Sequence, residues 1–134
     1  MVKYIWEFGS FIFFYLGTMH LVFTFFTNKF SSENKDLISQ MKTSTPLLTK
    51  ETTIWNAWVG FNASHGMGMI FIGITNIYLV HYHFEILGHF FFSLNIITVI
   101  FYLWLAKNYW FKAPFFSILI TLLTYIITYI VTYL

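Results

Sequence analysis

The chain has 134 residues, of which 58% are hydrophobic, 24% are aromatic and only 9% are charged. Soluble domains carry about 25% charged residues, so this composition excludes an ordinary soluble domain and predicts a membrane-embedded protein. The sequence has no cysteine, which excludes a disulfide scaffold, a thiol enzyme and a cysteine-bound metal or iron–sulfur site. Its positive charge, seven lysines, is too sparse and too confined to aqueous segments for a nucleic-acid surface.

The charged residues divide the chain into long apolar stretches. Seven of the twelve charged residues lie between positions 29 and 51, and four stretches with little or no charge remain. Each stretch reaches the ~20 residues that a helix needs to cross the hydrocarbon core. We therefore predict an all-α fold: a bundle of four transmembrane helices in a single domain over residues 1–134, with spans at about 5–26, 54–80, 85–106 and 113–133.

The segment between the first two spans also carries a helical pattern. Leu37, Ile38 and Met41 form an apolar stripe at helical spacing, which predicts a short amphipathic helix at the membrane surface. Thr49 has the position of an N-cap for the next helix, and Glu51 would then lie in its first turn.

The lysines predict the orientation of the spans. With four crossings, the N-terminus, the 81–85 turn and the C-terminus share one side, where Lys3 is the single lysine. The excess of lysine on the other side predicts that both termini lie outside the cytoplasm and that the 27–53 loop is cytoplasmic. The lysines on that side are Lys29, Lys35, Lys42, Lys50, Lys107 and Lys112.

The second span has two different faces at about 100° per residue. Gly60, Ser64 and Gly68 share one face, and small residues at this spacing let two membrane helices approach closely. We therefore predict that these three residues pack against another helix. The opposite face carries Trp58, Asn62, His65, Met69 and Asn76.

The polar residues of that second face need partners. An unpaired polar group in hydrocarbon costs several kcal/mol, so Asn62 and His65 must meet protein, water or a ligand. Antiparallel packing of the first two spans would place His20 near the level of Asn62, and Asn95 of the third span could join them. We therefore predict an intramembrane cluster of His20, Asn62 and His65.

Two interpretations of the histidine pair stay open. The pair could bind a metal or a haem, or transfer a proton. Alternatively, both histidines could be neutral and hydrogen-bond between helices as part of the packing. A metal site needs three or more ligands, and Glu7, the carboxylate that the spans supply, lies off the His20 face. We therefore predict no metal site and leave the cofactor unknown, with metal or haem as the less favoured choice. A second group of candidate ligands lies near the 81–85 turn: His81, His83, Glu85 and His89. If this segment were helical, their spacing could bind zinc or copper. A turn at the membrane interface, where histidine is readily accommodated, explains these residues more simply.

Several motifs together resemble a known family. They are Gly17-x-x-His20-Leu21, the block Glu51-Thr52-Thr53-x-Trp55-x-Ala57-Trp58-x-Gly60-Phe61-Asn62-Ala63-Ser64-His65, and Tyr109-Trp110-Phe111 before Pro114. The pattern, which covers most of the chain, resembles a family of small four-span bacterial integral membrane proteins of unassigned function. After His65 the sequence has Gly66-Met67-Gly68, where the family usually has Ser followed by Leu-Gly. The resemblance implies a multi-pass protein of the bacterial inner membrane and no particular activity.

Three functions follow, in order of preference. The first is binding of a small apolar or amphipathic molecule, or a lipid, in a pocket between the first two spans, with His20, Asn62, His65, Trp58 and Glu51 as ligand-binding residues. The second is a structural accessory subunit of a larger membrane complex, with partner subunits or further copies of the chain beside it in the bilayer. The third is a membrane enzyme that uses histidine acid–base chemistry on a lipid-soluble substrate, for which no catalytic residue is assigned.

Overall fold

The computed structural model describes residues 2–134. Four of its helices are long and apolar enough to cross a membrane, which makes this a multi-pass membrane protein and confirms the predicted all-α class. A fifth, short helix between the first two spans confirms the helix predicted from Leu37, Ile38 and Met41. The helices are α1 (Val2–Phe25), α2 (Lys35–Thr43), α3 (Ile54–Tyr82), α4 (His89–Tyr109) and α5 (Lys112–Tyr133).

The helix boundaries differ from the predicted spans most at the start of α4. The prediction began this span at residue 85, whereas Phe84–Ile86 form a short 3₁₀ turn and α4 begins at His89. Gly88, in an extended conformation, is the N-cap residue that precedes α4. The apolar residues Phe84, Ile86 and Leu87 therefore belong to the turn between α3 and α4.

The chain divides into two compact units. We call residues 2–16 with 69–134 the large unit, and residues 17–68 the small unit. The division falls inside two helices, after Leu16 in α1 and after Gly68 in α3. The large unit therefore holds α4, α5, the first part of α1 and the second part of α3, and the small unit holds α2 and the remaining parts of α1 and α3.

The core of the large unit is built from aromatic and aliphatic side chains. Trp6 stacks on Tyr125 with 3.7 Å between ring centroids, and its ring meets Phe92 edge-on at 4.7 Å. Phe13 meets Tyr102 edge-on at 5.3 Å. Aromatic pairs of this kind stabilise a fold by about 0.5–1.5 kcal/mol each beyond their buried area. The buried apolar residues of the unit are Trp6, Phe13, Met69, Val80, Leu87, Phe92, Val99, Ala106, Ile118 and Tyr125.

Two buried hydroxyls of the large unit, those of Ser10 and Thr121, hydrogen-bond between helices, whereas Thr128 Oγ1 is buried and makes no hydrogen bond within residues 2–134. The Ser10 hydroxyl donates to the Trp6 carbonyl at 2.8 Å, so the Tyr125 hydroxyl donates to Ser10 Oγ, also at 2.8 Å. Thr121 Oγ1 donates to the Gly9 carbonyl at 3.1 Å. These bonds link the first part of α1 to α5 at positions that solvent and lipid do not reach.

The third polar link of the large unit joins two amides. Asn76 Nδ2 of α3 donates to Asn95 Oδ1 of α4 at 2.7 Å. The Asn95 amide nitrogen donates in turn to the Phe91 carbonyl of its own helix at 2.9 Å. Asn95, which the sequence placed as a possible member of the histidine cluster, is therefore engaged with Asn76.

Two glycines set the close contacts between α1 and α3. A Cβ added to Gly73 would lie 2.6 Å from the Phe14 backbone nitrogen and 2.8 Å from the Ser10 carbonyl oxygen, in the large unit. In the small unit, a Cβ on Gly66 would lie 3.1 Å from the Gly17 carbonyl oxygen. At Gly73 only glycine lets the two backbones approach this closely, whereas a Cβ at Gly66 would require its neighbours to move by a few tenths of an ångström.

Two of the three α3 residues predicted to pack against another helix, Gly60 and Ser64, are exposed within residues 2–134. A Cβ on Gly60 would meet nothing within 4 Å, and Ser64 is exposed with its hydroxyl donating to the Phe61 carbonyl of its own helix. Gly68, the third residue of that face, is half-buried. Small residues occur on two faces of α3, and the packing uses the one that also carries the polar residues.

The N-cap residue of α3, which lies in the small unit, differs from the predicted one. Thr53 accepts the Asn56 N–H on its hydroxyl at 3.2 Å and the Ala57 N–H on its carbonyl at 3.0 Å, which makes Thr53 the N-cap. Thr49 was wrongly predicted for this role, because its hydroxyl accepts the Glu51 N–H in a separate turn at 3.1 Å. Glu51 consequently lies before the helix and outside its first turn.

Candidate functional site

The second part of α1 and the first part of α3 bring three polar side chains together in the small unit. His20 Nε2 lies 3.0 Å from Asn62 Oδ1. The His20 and His65 rings lie 5.0 Å apart, inclined at 60° to each other. The predicted proximity of His20, Asn62 and His65 is therefore observed, and we call these three residues the histidine cluster.

The hydrogen bonds of Asn62 fix the proton position on His20. Asn62 Nδ2 donates to the Trp58 carbonyl one turn earlier in α3, at 2.8 Å. This orients the amide so that its oxygen faces His20 and must accept a proton from Nε2–H. Neutral His20 consequently carries its proton on Nε2, and its Nδ1 has a free lone pair that makes no hydrogen bond to any of residues 2–134.

An aromatic ring from the loop after α1, that of Phe30, covers one side of His20. The Phe30 ring lies 4.7 Å from the His20 ring, and Phe23 meets Phe30 edge-on at 5.6 Å. The Lys29 ammonium lies 4.5 Å from the centroid of the Phe23 ring, a cation–π distance. The histidine cluster is thus bordered by apolar rings with a positive charge beyond them. Phe30 could not be predicted as a neighbour of His20, because it lies in an irregular loop where periodicity carries no information.

The histidine cluster is only partly enclosed by the protein. His20, Asn62 and His65 are each half-buried, whereas Ser10, Asn76, Thr121 and Thr128 of the large unit are buried. A half-buried cluster can be reached by a molecule from outside the fold. Its groups suit hydrogen bonding and proton acceptance, the ordinary chemistry of a neutral imidazole beside an amide.

Two of the predicted ligand-binding residues are placed differently from the cluster. Glu51 is exposed, and its side chain makes no hydrogen bond or ion pair in the part of the chain that the structure describes. The Trp58 ring stacks on Trp55 with 5.3 Å between centroids, so Trp58 contributes its carbonyl rather than its indole to the cluster. The site as observed consists of His20, Asn62 and His65, with Phe30 as an unpredicted neighbour.

The histidines near the α3–α4 turn do not gather into one site. His83 pairs with Glu85 at 3.5 Å, while His89 stacks on Tyr133 at 4.0 Å and bonds to the Tyr129 hydroxyl at 3.1 Å. Across residues 2–134, no group of three or more His, Asp or Glu side chains is arranged to hold a metal ion. His83 and His89 therefore interact with separate neighbours, His83 with a carboxylate and His89 with two tyrosines.

No protein-family model, curated protein or solved structure matches this chain. The resemblance to small four-span bacterial membrane proteins therefore stays a prediction from the motifs.

Proposed function

We propose that this protein is a multi-pass protein of a bacterial inner membrane that binds a small amphipathic molecule at the histidine cluster. The molecule would carry a hydroxyl or an N–H group that donates to His20 Nδ1. Its apolar part would lie against the ring of Phe30. Both chain termini would be outside the cytoplasm, which places the cluster toward the cytoplasmic half of the bilayer.

The observation that supports this proposal is the fixed tautomer of His20. Asn62 holds the Nε2 proton, so the free lone pair on Nδ1 is a preset acceptor at a half-buried position. A hydrogen-bond acceptor inside a membrane costs several kcal/mol if nothing donates to it. A ligand that supplies the donor removes this cost.

The orientation in the membrane is supported by the lysines of the small unit. Lys29 lies in the loop after α1, beside Phe23, and Lys35, Lys42 and Lys50 follow in the segment between α1 and α3. A concentration of lysine beside a span is typical of the cytoplasmic side. The nearby positive charge also favours ligands whose polar end is neutral or anionic over cationic ones.

The experiment compares what co-purifies with the wild-type chain and with two variants. The protein is extracted in mild detergent, and bound small molecules are measured by native mass spectrometry and solvent extraction. His20→Ala removes the acceptor and should lower occupancy about tenfold, the effect of one well-placed hydrogen bond. His89→Ala removes a histidine that also bonds to a neighbouring hydroxyl, and it should retain wild-type occupancy.

Either of two results would contradict the proposal. One is a wild-type protein that carries no small molecule even when purified from native membranes. The other is a His20→Ala variant that keeps the molecule at wild-type occupancy while its helical content and thermal unfolding are unchanged.

The second candidate, an accessory subunit of a membrane complex, is favoured by one observation. Gly60 and Ser64 form an exposed small-residue face on α3, open within this chain. Such a face fits a helix of another subunit. Because the chain has no cysteine, Gly60→Cys is a clean cross-linking site, with Phe101→Cys on exposed α4 as its control. A cross-linked product in native membranes from Gly60→Cys alone would support this function.

A further inference from the structure

A groove lies in the large unit between the first part of α1 and the second part of α3. It has a volume of about 580 Å³ and opens to the outside of the protein. Phe11, Phe14, Ile74 and Ile77 line its apolar part. The polar side chains lie toward the beginning of α1 and the end of α3, and they are Glu7, Tyr78, His81 and Tyr82.

A second, smaller cavity continues from the polar end of this groove. Its volume is about 170 Å³, and it shares Glu7 and His81 with the groove. Lys3 and Tyr4 form its remaining α1 wall. Lys3 and Glu7 are four residues apart in α1, so one positive and one negative side chain leave the same helix face.

The two charged groups are not paired with each other. No side-chain hydrogen bond or ion pair of Glu7 is formed within residues 2–134, although Glu7 is half-buried at the edge of a predicted span. The Lys3 ammonium instead lies 5.2 Å from the centroid of the Phe84 ring. An ionisable side chain of a membrane span is costly to leave unmatched, and it usually marks the position of a partner or ligand.

We propose that the groove binds a zwitterionic phospholipid whose headgroup ends in a primary ammonium. The ammonium contacts the Glu7 carboxylate, the phosphate contacts the Lys3 ammonium, and one acyl chain lies along Phe11, Phe14 and Ile74. The site is separate from the histidine cluster, and it belongs entirely to the large unit.

The pattern of charges selects this lipid over others. A headgroup with one positive and one negative charge matches both Glu7 and Lys3, and charge-assisted hydrogen bonds from N⁺–H to carboxylate are the strong kind. A choline headgroup has no N–H to donate to Glu7. A glycerol headgroup carries only the negative phosphate, so it leaves Glu7 unmatched and places two negative charges close together.

The test measures lipid binding to the purified full-length chain by native mass spectrometry. Phosphatidylethanolamine, phosphatidylcholine and phosphatidylglycerol with the same acyl chains are titrated separately. The wild-type chain should bind phosphatidylethanolamine about tenfold more tightly than phosphatidylglycerol. Glu7→Gln should lower affinity for phosphatidylethanolamine about tenfold and leave phosphatidylglycerol unweakened, whereas Glu33→Gln, the same change in an exposed loop, should alter neither.

A second pair of variants tests the position of the acyl chain. Ile74→Trp places a bulky ring in the groove and should weaken all three lipids several-fold. Ile97→Trp makes the same change at an exposed position of α4 that lines neither cavity, and it should behave as wild type. Thermal unfolding of both variants shows whether the fold is retained.

Three outcomes would overturn the proposal. The first is a Glu7→Gln variant with unchanged preference among the three lipids. The second is an Ile74→Trp variant that is folded and binds all three lipids normally. The third is a simple alkylamine binding as tightly as phosphatidylethanolamine, which would show that a cation alone, without phosphate, is recognised. None of these outcomes bears on the histidine cluster, which has its own variants and control.

Discussion

The two compact units differ in the burial of their hydrogen-bonded polar side chains. In the large unit, Ser10 and Thr121 are fully buried; Ser10 Oγ accepts from the Tyr125 hydroxyl of α5, and Thr121 Oγ1 donates to the Gly9 carbonyl of α1. In the small unit, His20 and Asn62 bond to each other but stay half-buried, and His20 Nδ1 remains without a donor in the described part of the chain. Polar groups of the first kind join helices, whereas those of the second kind are still able to take a ligand.

This difference separates stability from function along the same two helices. Substitutions in the sealed contacts of the large unit should lower the free energy of unfolding and leave the ligand of the histidine cluster in place. Substitutions in the cluster should do the reverse. The following variants test the distinction.

The largest effect is expected from Gly73→Ala. The added Cβ would lie 2.6 Å from the Phe14 nitrogen, and backbone atoms cannot move aside as a flexible side chain can. We expect a loss of about 3 kcal/mol in the free energy of unfolding, the upper end of overpacking costs. The measurement is equilibrium unfolding in detergent micelles followed by circular dichroism.

Gly60→Ala is the matched control for Gly73→Ala. Nothing lies within 4 Å of the added Cβ, and alanine is the better helix former, so stability should be unchanged or increased by up to about 1 kcal/mol. Equal losses from both glycines would contradict the assignment of the packing face.

A smaller loss of stability is expected from Tyr125→Phe. The substitution removes the hydroxyl that donates to Ser10 Oγ but keeps the ring stacked on Trp6. One buried hydrogen bond contributes about 0.5–1.5 kcal/mol, and Ser10 keeps its bond to the Trp6 carbonyl. Thermal unfolding measures the loss, and Tyr109→Phe, at an exposed position, should be neutral. If Tyr125→Phe also lost the small molecule bound at His20, this would contradict the hypothesis that the large unit determines stability and the histidine cluster determines ligand binding.

The smallest loss of stability, about 1 kcal/mol, is expected from Asn62→Leu, because the His20 N–H that loses its acceptor is only half-buried. Its main effect is on the His20 tautomer, which ¹⁵N spectra of histidine-labelled protein report directly. The wild-type spectrum should show His20 protonated at Nε2 and bare at Nδ1, and Asn62→Leu should remove this preference because the acceptor is gone. Asn56→Leu, at an exposed position of α3, should leave the spectrum of His20 unchanged. A wild-type His20 protonated at Nδ1 would refute the preset acceptor.

Much of the fold could be predicted because the charges are concentrated in one segment. Lysine and acidic residues cannot occupy the hydrocarbon core cheaply, so their positions mark where spans end. The proximity of His20 and Asn62 was predictable for a related reason, since polar groups in the two spans need partners.

Other features could not be read from the residue pattern. Gly60, Ser64 and Gly68 satisfy the same spacing rule as a packing face, and only the contact of Gly73 with α1 shows which face is used. Thr49 and Thr53 are both acceptable caps, and the choice depends on which backbone N–H groups point at each hydroxyl. The groove beside Glu7 is lined by both α1 and α3, so it depends on how the two helices pack together and the residue pattern of either helix does not show it.

The stack of Trp6 on Tyr125 gives the protein an internal optical reporter. Trp6 has no exposed surface, and its indole N–H has no hydrogen-bond partner within residues 2–134. An excited indole in such apolar, unbonded surroundings emits at the short-wavelength end of the tryptophan range. Emission from a variant that keeps Trp6 as its single tryptophan would therefore report the opening of the large unit, without any attached dye.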